Sequence, residues 1–157
     1  MNDGVVTLND VFAAAAVRAA SLVPETSGYL ALAIGDAMAK APLSHDDRAV
    51  TLTTEGNVSV TSRGAMMSPK QAARSLRDVL ARLLAASAGT MPGLAGAARP
   101  RDESDRGVPA VVEEIEAALI PVNRAAARRA LARLARETLR ATELGELRIE
   151  TVRSPEV

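Results

Sequence analysis

SPKQAARSLRDVLARLL, residues 68–84, is the most strongly amphipathic stretch of this 157-residue chain, and we expect the other elements to pack around it. Ser68 is a good helix N-cap, Pro69 suits the first helical position, and Gln71 completes a capping box. Five apolar side chains then recur at helical spacing. They are Leu76, Val79, Leu80, Leu83 and Leu84. We predict that this helix ends at Gly89 and lies at the centre of the hydrophobic core.

The composition indicates what surrounds that helix. Hydrophobic residues make up 48% of the chain, yet it contains one Phe, one Tyr and no Trp. Its 32 Ala favour helices and add little side-chain bulk. A chain of this length builds one hydrophobic core. We therefore expect closely packed helices in a single domain over residues 1–143, followed by a tail or linker at 144–157.

Two helices are predicted before the central one. The first covers about 8–22, because Thr7 and Asp10 form a capping box and apolar residues follow at helical spacing. The second covers about 25–40, with Pro24 in its first turn. Small side chains would allow these two helices to form an antiparallel pair.

The period of the pattern changes from helix to strand after the second helix. Val50-Thr-Leu-Thr53 and Val58-Ser-Val-Thr61 alternate apolar and polar residues. The link between them, Thr54-Glu-Gly-Asn57, supplies residues that tolerate a tight turn. We predict one short β-hairpin whose apolar face lies on the helices, because two strands alone are marginally stable in water.

Two more helices are predicted near the end of the chain, at about 109–120 and about 124–142, and Asn123 starts the second. Between the central helix and these two, residues 91–108 are rich in Gly, Pro and charge, and we expect a mobile loop there. The tail from residue 144 alternates weakly, which is compatible with either a strand or a linker. The sequence thus predicts a mainly α fold with one short β-hairpin.

Charge and reactive residues exclude several classes of function. Nineteen basic residues balance nineteen acidic ones, so no net charge draws the whole chain to nucleic acid or to a membrane. The absence of Cys excludes disulfides and thiolate chemistry, and a single His leaves little for an imidazole metal site. The sequence shows no charged leader and no run of about 18 apolar residues. We therefore expect a cytoplasmic protein without catalytic, cofactor-binding or metal-binding residues.

His45-Asp46-Asp47 is the cluster that invites metal-binding or acid–base chemistry. An imidazole and two carboxylates can share a divalent ion, but side chains one and two positions apart rarely converge. The interpretation we favour is a loop in which His45 packs and an Asp caps the amides of a turn.

The order of elements and two motifs resemble the C-terminal lobe of protein kinases. SHDDRAVTLTTEGNVSVTSRG, residues 44–64, looks like the kinase run from His-Arg-Asp, through a hairpin with a Gly-Asn turn, to Asp-Phe-Gly. IPVNRAA, residues 120–126, is similar to the family's Asp-Pro-x-x-Arg-Pro-Ser-Ala segment. Residues 75–84 stand where that lobe has its buried central helix. The resemblance covers about residues 5–140 and implies a helical fold like the kinase C-lobe.

The departures from kinases concern the catalytic parts. No Gly-rich loop or strand Lys precedes the region of resemblance. Asp47 matches the catalytic Asp by position, but only eleven positions separate His45 from Gly56, which leaves no room for the Lys and Asn that follow that Asp in kinases. Ser62 and Arg63 stand where kinases have Asp and Phe of Asp-Phe-Gly, so the magnesium-binding carboxylate is missing.

These departures make the chain resemble the kinase non-catalytic C-lobe (KIND) type of domain. That resemblance implies an adaptor or scaffold rather than an enzyme. Its partner would be another protein, which supplies a peptide or a helix to a groove between the helices. Ala-lined helices also allow a homo-oligomer, and no membrane contact is expected.

The alternative function is nucleic-acid binding through the last helix, which is rich in Arg. Four of its arginines share one side of the helix and are the candidate partner-binding residues. They are Arg129, Arg133, Arg136 and Arg140. Such a face can meet phosphates or an acidic partner. The neutral chain and the lack of aromatics for base stacking favour a solvated surface instead, and Glu113, Glu114 and Glu116 are available to pair with these arginines.

Overall fold

The computed structural model describes residues 4–61 and 64–145, and within them it has three strands and six helices. The elements are β1 Val5–Thr7, α1 Leu8–Ala16, α2 Pro24–Lys40, β2 Val50–Thr53, β3 Val58–Val60, α3 Pro69–Ala85, α4 Pro92–Ala98, α5 Val108–Ala118 and α6 Arg124–Glu143. The expected mainly α fold with a short β-hairpin is confirmed. One strand and one helix are additional to the prediction.

Helix α3 lies in the core, as the sequence predicts. The Ser68 hydroxyl accepts a hydrogen bond from the Gln71 amide at 3.2 Å, and the Gln71 side chain accepts one from the Ser68 amide at 2.9 Å. The inward side chains Leu76, Leu80 and Leu83 are fully buried. The helix packs against α2, α4 and α5, and it ends at Ala85, before the predicted end at Gly89.

The first predicted helix ends early, at Ala16. Arg18 has a φ of 60°, in the left-handed region. Its amide donates a hydrogen bond to the Ala15 carbonyl at 3.1 Å, and the Ala19 amide donates one to the Ala14 carbonyl at 2.8 Å. This pair of bonds forms a Schellman C-cap, which usually carries Gly at the left-handed position. With Arg there, the sequence has no recognisable stop signal.

The expected antiparallel pairing of the first two helices is wrong. Helix α1 packs against α6 and the sheet, whereas α2 packs against α3 and α5. Along α2, Leu30 and Ile34 are fully buried, and Tyr29 and Leu32 are nearly so. The helix is thus apolar on more than one side, and α3 and α5 cover more of that surface than the short α1 could.

The predicted hairpin forms with β2 and β3, and β1 joins it as a third antiparallel strand in the order β1-β2-β3. Val6 pairs with Leu52, and Val50 pairs with Val60. Val6, Val50 and Leu52 are almost fully buried beneath α6. At the β2–β3 turn, Gly56 has a φ of 87°, and a Cβ at this position would overlap the Arg128 carbonyl of α6. Only Gly allows the turn to lie so close to the helix.

Part of the segment predicted as a mobile loop, residues 91–108, is helical. Helix α4 covers Pro92–Ala98, and Leu94 on it is fully buried. Further along, Glu103 is only 5% exposed. The expectation of a segment without regular structure is therefore wrong for residues 92–98.

The last two helices follow the prediction closely. In α5, Val111 and Ile115 are fully buried. Asn123 is the N-cap of α6, and its side chain accepts a hydrogen bond from the Ala126 amide at 2.9 Å. The tail beyond residue 145 lies outside the described residues, so its predicted role as strand or linker stays a prediction.

Candidate functional site

Asp47, which matches the kinase catalytic Asp by position, is engaged in an ion pair. Its carboxylate accepts a hydrogen bond from Arg82 of α3 at 2.9 Å. Arg82 also pairs with Asp78 at 3.2 Å and lies 5.2 Å from the centre of the Phe12 ring. The hydrogen bond to Asp47 raises the pKa of Arg82. Asp47 thus joins the loop after α2 to α3.

The neighbouring Asp46 caps a turn, as the favoured interpretation predicts. One of its carboxylate oxygens accepts hydrogen bonds from the amides of Arg48 and Ala49, each at 3.0 Å. His45 is half-buried, and its Nε2 atom is buried. Across residues 4–61 and 64–145, no three His, Asp or Glu side chains come together as a metal-binding group. The cluster is part of a structured loop.

Ser62 and Arg63, the residues that replace Asp and Phe of the kinase motif, lie outside the described residues. Gly64 beside them is described, and it lies against Ser44 so closely that a side chain would overlap the Ser44 oxygens. The Ser44 amide also donates a hydrogen bond to the Ala65 carbonyl at 2.8 Å. The two ends of the kinase-like segment, residues 44–64, therefore meet.

An open groove of about 510 Å³ lies between α2, the N-terminal half of α6 and the β2–β3 turn. Tyr29 and Leu32 of α2 and Leu131 of α6 form its apolar floor, and each is 4–6% exposed. Asp36 lies on the α2 side. We call this the α2–α6 groove. No local sequence pattern indicates this groove, because its two walls are about 90 residues apart in the chain.

Two arginines line the α6 side of the α2–α6 groove, and both are exposed. They are Arg124 and Arg128. Arg128 donates a hydrogen bond to the side chain of Asn57, a neutral residue, at 3.0 Å. In the part of the chain that the structure describes, neither arginine forms an ion pair, and neither does Asp36.

The four arginines singled out from the sequence lie on another side of α6, outside the groove lining. All four are exposed: Arg129, Arg133, Arg136 and Arg140. Arg133 pairs with Glu137 at 3.1 Å, and Arg136 donates a hydrogen bond to the Thr54 carbonyl at 3.3 Å. Their role in partner binding stays a prediction.

The expected pairing of the α5 glutamates with the α6 arginines is wrong. Glu113 forms an exposed pair with Arg106. Glu114 pairs with Arg77 of α3 at 2.7 Å and with Arg101 at 2.8 Å. The acidic side of α5 therefore faces α3 and the segment after α4, and within the described ranges it forms no ion pair with α6.

Arg77 is a buried cation that the sequence analysis missed. Its side chain is 4% exposed, and its Nε donates to Glu103, whose side chain is 3% exposed, at 2.7 Å. Its two Nη atoms donate to Glu114 at 3.1 and 2.7 Å, and one also donates to the Ala97 carbonyl at 2.6 Å. Burial lowers the pKa of Arg77, but the hydrogen bonds to Glu114 and Glu103 outweigh it and raise the pKa above its ordinary value. The cluster joins α3, α4, α5 and the segment between the last two.

Comparisons with known proteins do not place the chain in a family. No protein-family model, no curated protein and no solved structure matches it. None of the described helices is both long and apolar enough to cross a membrane.

Proposed function

We propose that this chain is a non-catalytic protein–protein interaction module, an adaptor or scaffold built like a kinase C-lobe. The observation that carries the proposal is the α2–α6 groove. Its volume is about 510 Å³, its floor is apolar, and charged side chains stand at its edges. Grooves of this kind between helices bind the apolar side chains of a partner segment.

The surroundings of Asp47 support the non-catalytic part of the proposal. A catalytic base needs a free carboxylate within hydrogen-bond reach of the proton it removes. The Asp47 carboxylate instead holds Arg82, and its backbone carbonyl accepts a hydrogen bond from the Asn9 amide at 3.2 Å. Phosphoryl transfer also depends on metal ions that neutralise charge, and Ser62 stands where the resemblance to kinases places the magnesium-binding Asp.

A matched pair of variants tests the groove. Ala33 lines the α2–α6 groove, whereas Ala39 is exposed on the same helix and does not line it. Ala33→Leu should fill the groove at little cost to the helix, because Ala and Leu have similar helix propensities. The intact chain and both variants would be used to capture proteins from the cell extract of origin.

The expected result is a protein that wild-type and Ala39→Leu chains capture and Ala33→Leu does not. If the captured protein were the chain itself, sedimentation of the purified variants would show the same difference as a self-association. Equal capture by all three chains would overturn the groove as the binding site. Circular dichroism of both variants would verify that they fold.

A second experiment tests the absence of catalysis. We expect no change in melting temperature on adding ATP and magnesium, because a ligand that does not bind the native state cannot stabilise it. Asp47→Ala should leave any kinase or ATPase assay unchanged. A clear stabilisation by nucleotide, or an activity lost in Asp47→Ala, would overturn the proposal.

The second candidate function is nucleic-acid binding through α6. The observation in its favour is that four arginines of one side of the helix are all exposed: Arg129, Arg133, Arg136 and Arg140. This function requires an affinity for duplex DNA that falls steeply with salt concentration. Reversing the charges of Arg129 and Arg133 should abolish that affinity. Absent or salt-insensitive binding would exclude it.

A further inference from the structure

We propose that the α2–α6 groove takes an acidic segment of the partner protein, with an apolar side chain in the groove and carboxylates on its basic edge. This inference rests on the proposed function and adds the chemistry of the partner. Three features of the groove carry it: an apolar floor, two arginines that have no acidic partner among residues 4–61 and 64–145, and the start of helix α6 at the same edge.

The floor of the groove favours a ligand with an apolar side chain. Tyr29 is 5% exposed, Leu32 6% and Leu131 4%, so each presents a small surface to the groove, and two of the three side chains are wholly aliphatic. The groove volume of about 510 Å³ falls in the range of sites that enclose a small ligand. It therefore suits a few side chains of one short segment rather than a flat protein surface. Burying such side chains supplies the non-directional part of the affinity.

The α6 edge of the groove favours a ligand with negative charge. Arg124 and Arg128 stand along the α6 side, and Asp36 is the single acidic residue among the described residues of the lining. Asp36 forms no ion pair with either arginine in the ranges that the structure covers, so it does not neutralise them. The lining thus carries two positive charges against one negative. A basic segment would be repelled by both arginines and attracted by Asp36 alone among the described lining residues.

The start of α6 adds to the same preference. Arg124 is the first residue of this 20-residue helix, and Ala125 next to it also lines the groove. The first turn of a helix carries a partial positive charge, which favours carboxylates nearby. The positive helix end and the two arginine side chains therefore act together on a ligand at this edge.

A nucleic acid fits the α2–α6 groove less well than an acidic peptide. Single-stranded nucleic acids bind by stacking bases on exposed aromatic rings. Tyr29 is the single Tyr of the chain and is 5% exposed, so its ring cannot serve as a stacking platform. The apolar floor also offers nothing to a phosphodiester.

The test begins with peptides of unbiased charge. A displayed library of random peptides, each about 12 residues long, would be selected against the purified full chain. Enriched peptides would be synthesised with a fluorescent label, and their affinities would be measured by anisotropy. Peptides without Tyr and Trp would also be tested for a change in Tyr29 emission, which reports occupancy of the groove because the chain has no other Tyr and no Trp.

Charge-reversal variants locate the contact. Arg124→Glu with Arg128→Glu should weaken binding of the enriched peptides about tenfold, since each reversal replaces an attraction by a repulsion. Arg129→Glu with Arg140→Glu changes the net charge equally on the same helix but outside the groove lining, and it should have little effect. Ala33→Leu should abolish binding, and Ala39→Leu should not.

The outcomes separate the inference from the function on which it rests. Enriched peptides that are acidic with an apolar anchor, and that lose affinity in the Arg124/Arg128 variant, support the inference. Enriched peptides that are neutral or basic, or that depend on Arg129 and Arg140 instead, overturn it and leave the module proposal standing. A selection that enriches no peptide overturns both.

Discussion

Replacing Arg77 with Met should destabilise the fold more than the loss of any other single arginine in the described chain. Met retains most of the length and apolar volume of the Arg side chain, so the change chiefly removes the guanidinium. That group donates hydrogen bonds to Glu103, Glu114 and the Ala97 carbonyl. The Glu103 carboxylate, 3% exposed in the wild-type structure, loses its cation on this substitution.

The magnitude follows from that burial. Breaking a buried ion pair by removing one partner costs about 3–5 kcal/mol, because an uncompensated charge stays inside the protein. Domains of this size are stable by about 5–15 kcal/mol. With a urea m-value of about 2 kcal/mol/M, the midpoint of unfolding should fall by about 2 M. The melting temperature should fall by about 10 °C.

Urea unfolding followed by circular dichroism measures the effect, and two further variants show its cause. Arg106→Met removes an exposed ion pair with Glu113 and should leave the midpoint unchanged within error. The double variant Arg77→Met with Glu103→Met removes both buried charges. It should recover most of the lost stability, since well-packed apolar residues replace buried ion pairs at little cost.

Two results would refute this reasoning. A loss of less than about 1 kcal/mol in Arg77→Met would mean that Glu103 reaches water or another partner. A double variant no more stable than Arg77→Met would mean that lost packing, and not the unpaired Glu103 carboxylate, causes the destabilisation.

Three further predictions concern backbone conformation and pH. Gly56→Ala should lower the free energy of unfolding by about 1–3 kcal/mol, because the φ of Gly56 is 87° and a Cβ would overlap the backbone of α6. Gly96 has open space around it, so Gly96→Ala should leave stability unchanged or stabilise α4. Equal effects of the two substitutions in urea unfolding would contradict this packing. Arg18→Gly should raise the free energy of unfolding by up to about 1 kcal/mol, because Gly adopts the φ of 60° without strain, and a destabilised variant would argue against that conformation. Hydrogen bonding to Arg77 holds the pKa of Glu114 below its ordinary value of 4.5, so its stabilising contribution is complete above pH 4.5 and is lost as the pH falls through the lower, folded-state pKa. The difference in stability between wild type and Arg77→Met should therefore shrink on acidification below that pH, and a constant difference would contradict the assignment.

The elements that the sequence predicted well have local signals. Helices α3 and α6 each begin at a capping residue, Ser68 and Asn123, and each continues with apolar residues at helical spacing. In each helix the capping residue and the first apolar positions are only a few residues apart, so the helix can be predicted without the rest of the chain. The β2–β3 hairpin is local in the same sense, since its turn residues and strands are contiguous.

The elements that the sequence missed depend on distant partners. Strand β1 has three residues, and it forms by pairing with β2, which lies some 45 positions later. Helix α4 contains Gly93 and Gly96, which disfavour helix, and the burial of Leu94 overrides that preference. The end of α1 at Ala16 was missed for another reason, because Arg18 occupies a position where Gly is the usual signal.

The candidate site also has features that local sequence shows and features that depend on distant segments. The sequence shows an Arg-rich helix, and its residues 44–64 resemble a kinase segment, because residue types and spacing are visible in one dimension. The tertiary structure placed Arg124 and Arg128 at a groove and left Arg129 and Arg140 outside its lining. Helical periodicity alone placed Arg129 and Arg140, together with Arg133 and Arg136, on the predicted partner-binding surface.

Propensity, period and composition are properties of neighbouring residues, and they were enough to predict the helical class, the hairpin, the caps of α3 and α6 and the absence of thiol chemistry. Only the tertiary structure decided that Arg77 is buried, since its partners Glu103 and Glu114 stand 26 and 37 positions away. It also decided that α2 and α6 form a groove. A charged side chain on an amphipathic helix is normally solvated, and only the packing of other segments around it can supply the opposite charges that make burial stable.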